Sequence, residues 1–107
     1  MSAETAYKEI VEALTSKKDV SAGSLFGKAC VKLATKAFVA FHKDEMVFKL
    51  PATQLKDASA LAGSHLWDPS GAKRPMKEWL CVPFKHAKQW QDLADKALAN
   101  ARKAAKA

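Results

Sequence analysis

The chain has 107 residues, 49% of them hydrophobic, which suits one domain with a core of its own. Eighteen Lys and Arg against eleven Asp and Glu leave a net charge of +7, so the expected partner is anionic: nucleic acid or an acidic protein. Two cysteines are too few for a disulfide framework, no signal-peptide pattern opens the chain, and no apolar run approaches the ~20 residues that span a bilayer; a cytoplasmic protein with reduced thiols and no membrane contact is expected.

In chain order, Ser2 is a good N-cap, Glu4 suits the first turn of a helix, and Tyr7, Ile10, Val11 and Leu14 recur at helical spacing. Residues 19–27 carry Gly23 and Gly27 and read as a loop that delivers Leu25 and Phe26 to the core. Residues 28–33 alternate, with Ala29, Val31 and Leu33 against Lys28, Cys30 and Lys32, as a strand with one solvated face does. A short turn at Ala34 and Thr35 leads into KAFVAFHKDEMVFKLP (residues 36–51), the expected centre of the fold. Its two apolar runs flank the polar His42, Lys43, Asp44 and Glu45, which is a hairpin signal, and Pro51 ends the second strand. Phe38, Phe41, Met46 and Phe48 are the expected buried residues.

Residues 52–62 form a second predicted helix, with Thr53 as N-cap, Leu55, Ala58, Leu61 and Ala62 as its apolar stripe and Gly63 after its end. His65, Leu66 and Trp67 suggest a short strand, residues 68–73 a turn-rich loop, and residues 74–83 a last strand with Met76, Leu80 and Val82 on one side and Trp79 and Cys81 on the other. A C-terminal helix from about Lys85 carries Trp90, Leu93, Ala94, Ala97, Leu98 and Ala101 at helical period, and the tail from Arg102 is expected to fray. The predicted order is α-β-β-β-α-β-β-α, an α+β layer fold in a single domain over residues 1–107.

Four segments together resemble the family of the TfoX N-terminal domain and the related MmcQ/YjbR-like proteins: FGKAC at 26–30, KAF at 36–38, DEMVFKLP at 44–51 and RPMKEWLCVP at 74–83. The W..LA..A pattern at Trp90, Leu93, Ala94 and Ala97 is similar to the family as well. The resemblance implies a curved antiparallel sheet of five strands packed by helices, brings no catalytic residue set, and points toward DNA binding.

The candidate anion-binding residues are Lys36 and Lys49 on the hairpin and Lys73, Arg74 and Lys77 around the last turn, with Trp67 and Trp79 as aromatic neighbours that would stack a base. The competing reading places Trp79 in the core and the lysines on ordinary solvated faces. His42, His65 and His86 stand one per element, without HxxxH or HxH spacing, and Cys30 and Cys81 form no CxxC, so neither a metal nor another cofactor is expected. A Cys–His pair joining Cys81 to His65 or His86 has no support in spacing, and no carboxylate pair or phosphate-cradling glycine loop is present. The expectation is a non-enzymatic binding or regulatory module associated with nucleic acid. The alternatives are a protein-interaction module that pairs as a homodimer, and a small-ligand pocket beside residues 68–74 lined by Trp67 and Trp79.

Overall fold

The computed structural model describes residues 2–25, 28–67 and 76–106. Helix α1 (Ala3–Thr15) begins where expected: the Ser2 side chain accepts from the Thr5 backbone N–H at 3.1 Å. Six strands follow the pattern β1 (Val20–Leu25), β2 (Lys28–Leu33), β3 (Lys36–His42), β4 (Glu45–Lys49), β5 (His65–Trp67) and β6 (Met76–Pro83). Helix α2 (Ala52–Ala58) lies between β4 and β5, and a single 3-10 turn at Phe84–His86 leads into α3 (Ala87–Lys106).

The strands form one antiparallel sheet in the order β1-β2-β3-β4-β6-β5, curved and packed by the helices: an α+β fold. Its helix-facing side is the main core. Val31, Leu33, Val39, Met46, Phe48, Leu80 and Val82 of the sheet, with Leu50 just after β4, meet Tyr7, Ile10 and Leu14 of α1 and Trp90, Leu93, Ala94, Ala97 and Leu98 of α3. A bulge in the β2–β3 ladder turns Phe38 to this side next to Val39, which is why β3 reads as almost continuously apolar. Trp90 is fully buried and donates its Nε1–H to the Val82 carbonyl at 3.2 Å. Phe41, half-buried at the margin, stacks on Tyr7 with centroids 4.8 Å apart.

The central hairpin closes through two residues, Lys43 and Asp44, both with left-handed backbone (φ 49° and 63°). That is the turn whose twist matches a β-hairpin, although neither residue is the glycine that adopts it most readily.

Three predicted elements need correction, as do two burial expectations: Cys30, placed on a solvated face, is buried, and Phe41, placed in the core, is half-buried. Residues 20–25 are a strand, not a loop, so the sheet has six strands: β1 pairs along its length with β2, from Val20 opposite Leu33 to Leu25 opposite Lys28. Only Val20 of its residues 20–24 is buried. Helix α2 stops at Ala58, with Pro51 rather than Thr53 before its first turn; residues 59–63 continue as turns, in which Gly63 takes φ 87°. The tail expected to fray is helical to Lys106, and Arg102 donates from Nη2 to the Lys18 carbonyl at 2.9 Å, tying α3 to the end of the α1 segment. Phe26, expected in the core, lies outside the described residues. Among the described residues no helix is long and apolar enough to cross a membrane.

Candidate functional site

Two of the sequence-predicted site residues come together at one end of the sheet. Lys36 opens β3 and Lys49 closes β4, and there the start of α2 and the last turns of α3 leave a groove of about 680 Å³. Leu33, Phe38, Leu50 and Ala97, all buried, make its floor. Lys36, Lys49 and Lys103, all exposed, stand at its rim, with Glu78 as the acidic member. Lys49 Nζ lies 3.9 Å from Glu78 Oε2, but both side chains are well solvated, so this pair binds Lys49 only loosely. Asn100 Nδ2 donates to Gln54 Oε1 at 2.8 Å and fastens α3 to α2 along the wall. An apolar floor with a few charged and amide groups at the rim is the usual make-up of a ligand cleft, and the volume falls in the usual range. Lys103 was missed in the sequence because the tail was expected to fray; its position three residues after Asn100 on α3 places the two on neighbouring turns.

The two tryptophans are elsewhere. Trp67 and Trp79 lie on the opposite side of the sheet with centroids 5.5 Å apart, at 1% and 9% exposure, over Cys30, Ala40, Val47 and Cys81. Their rings are committed to a second, smaller core and offer no open face for stacking a base. The reading of Trp79 as core holds, and Trp67 joins it. The groove therefore does not coincide with the pocket expected beside residues 68–74. Lys73 and Arg74 lie outside the described residues, and Lys77 is placed only by its backbone, in β6.

On the same second face the pairing of β4, β6 and β5 gathers a group with no signature in the sequence. His65 is opposite Cys81 in the β5–β6 ladder, and Glu45, two residues before Val47, reaches diagonally from β4. The donor atoms of Glu45, His65 and Cys81 all lie within 4.8 Å of one another. His65 Nε2 is 3.0 Å from Glu45 Oε1, and its Nδ1 is 3.2 Å from the Leu66 carbonyl. Burial first, then the Glu45 carboxylate, push the Cys81 thiol up to about 12, so it is held as the neutral S–H and is a poor nucleophile despite the nearby imidazole. His86, the other imidazole considered as a Cys81 partner, hydrogen-bonds the Ala62 carbonyl at 2.8 Å instead. His42 is paired with Glu45 across β3 and β4. Its affinity for a proton is lowered by burial and then by Lys28 and Lys43, which outweigh the opposing effect of Glu45, and its Nδ1 has no hydrogen-bond partner among the described residues.

Comparison of the chain with protein-family models and with curated proteins finds no match in either.

Proposed function

We propose that the chain is a non-enzymatic binding or regulatory module of the TfoX N-terminal-like kind, acting in the cytoplasm, whose groove at Lys36, Lys49 and Lys103 receives an anionic partner. The convergence of these three lysines at the rim of one cleft carries the reading. The net charge of +7 supports it, and the α+β fold agrees with the fold implied by the resemblance. The first partner to test is the phosphate backbone of nucleic acid. Contact would be electrostatic and largely indifferent to sequence, since the tryptophans that would stack bases are buried.

The test is binding of a random-sequence DNA duplex across a salt series. Three lysine–phosphate contacts predict a slope of log K on log salt of about −2 to −3, from ~0.9 per neutralised phosphate. Lys36→Glu, Lys49→Glu and Lys103→Glu combined should abolish the binding. Undetectable binding at low salt sinks the nucleic-acid version. A thermal shift with small organic acids that is lost in the same triple variant would then assign the groove to a metabolite.

One observation favours a second reading, a homodimer through a sheet edge. β1 is an edge strand of the sheet; its segment VSAGSL has no charged residue or proline, and Ser21, Ala22, Gly23 and Ser24 are exposed. Unguarded edges of this kind pair with other strands. Sedimentation that shows a monomer at every concentration removes this reading.

A further inference from the structure

The face of the sheet remote from the helices carries a donor set that the groove does not use. We propose that Glu45, His65 and Cys81 form a binding site for Zn²⁺ or a similar borderline-soft divalent cation. The inference is independent of the anion-binding groove.

One carboxylate oxygen, one imidazole nitrogen and one thiol sulfur lie within 4.8 Å of one another, each from a different strand. The strands β4, β6 and β5 are hydrogen-bonded neighbours, so the spacing is set by the ladder and not by a loop. An S, N, O set suits a tetrahedral Zn²⁺ better than a hard cation, which prefers oxygen alone.

The Leu66 carbonyl can only accept, so the 3.2 Å contact with His65 Nδ1 is a hydrogen bond in the tautomer that carries its proton there. In the neutral ring, Nε2 then presents a lone pair to Glu45 Oε1 at 3.0 Å, itself an acceptor when ionised. That tautomer leaves Nε2 open to a metal ion shared with Glu45, whereas the other places the proton on Nε2 and donates it to Glu45 Oε1. A backbone carbonyl on the remote nitrogen is also how metal-binding imidazoles are commonly oriented.

Cys81 is fully buried, whereas the side chain of His65 is half-exposed and that of Glu45 is 22% exposed. An ion would rest on the sulfur, with its fourth position toward solvent, an arrangement of three protein ligands and one exchangeable ligand. When the ion binds, the Cys81 S–H bond breaks and its proton, with any proton on His65 Nε2, passes to solvent as the Sγ, Nε2 and Oε bonds to the metal form. No oxidant or reductant takes part. The sequence gives no hint of this set, because positions 45, 65 and 81 share no motif spacing and meet only through strand register.

The experiment is titration of the full reduced chain with CoCl₂ and ZnCl₂. The expected result is one equivalent of Co²⁺ with a thiolate-to-cobalt charge-transfer band, and a rise in the thermal midpoint with Zn²⁺. Cys81→Ser should remove the band, whereas Cys30→Ser should keep it. Glu45→Gln and His65→Gln, on partly exposed side chains, should each weaken Zn²⁺ binding at least about tenfold, as even loss of an outer partner of a metal ligand does. Absence of both the band and the midpoint shift would overturn the site. So would wild-type affinity in both the Glu45→Gln and His65→Gln variants, a result that stands even if Cys81→Ser fails to fold.

Discussion

At the scale of single residues, backbone strain and burial give the clearest predictions. Ala34 turns the chain from β2 into β3 with φ 56°, a region that a Cβ disfavours by about 1–2 kcal/mol. Ala34→Gly relieves that strain, partly offset by the greater freedom of glycine in the unfolded chain. The denaturant midpoint should therefore rise. Phe48 has no exposed surface and sits at the middle of the main core, so Phe48→Ala should lower stability by about 3–5 kcal/mol in the same measurement. Cys81 gives a pH dependence. Its thiol is raised from near 9 to about 12 in the folded chain, so between these values the unfolded chain loses the proton and the folded chain keeps it. Fewer protons bound in the unfolded state make stability fall as pH rises through that window. Cys81→Ala should flatten the fall above pH 9, measured as the difference between the two chains so that the contributions of Tyr7 and Cys30, both raised by burial, cancel. Much of this scale was legible in the sequence: Phe38, Met46 and Phe48 are buried as their apolar runs suggested. The fate of Trp67 was not, because one large amphipathic ring serves a core or a binding face equally well until its strand is paired.

At the scale of elements, the hydrophobic period found most of the structure and failed where there was no period to read. Helix α1 follows its stripe and its cap, and Ser2→Ala should cost about 1 kcal/mol by removing the acceptor for the Thr5 N–H. Strand β1 escaped because an edge strand can be built from Ser, Ala and Gly, with the ladder to β2 and, among residues 20–24, the buried Val20 to hold it. The segment after α2 escaped for the converse reason. Leu61 looks like one more turn of helix, but it packs against the core from a turn at half burial, and the backbone leaves the helix at Ser59. The end of α3 was underread because its anchor, Arg102 to the Lys18 carbonyl, joins residues 84 apart.

At the scale of the whole molecule, the described helices share one side of the sheet, and the other carries the two tryptophans, the two cysteines and the Glu45–His65–Cys81 group. The layers follow from alternation along the strands, so the α+β class was legible from composition and order. The two sites were not. The groove depends on where α3 crosses the ends of β3 and β4, and the donor group depends on the β4–β6–β5 register; neither leaves a local trace in the chain. The groove claim is tested most directly by nuclear magnetic resonance of the ¹⁵N-labelled chain titrated with a short DNA duplex at low salt. Binding in the groove should give amide shifts concentrated at Lys36, Ala37, Lys49, Gln54, Asn100 and Lys103, lost on raising the salt. Shifts confined to other surfaces, such as the β1 edge, or an unchanged spectrum at saturating duplex, would contradict it.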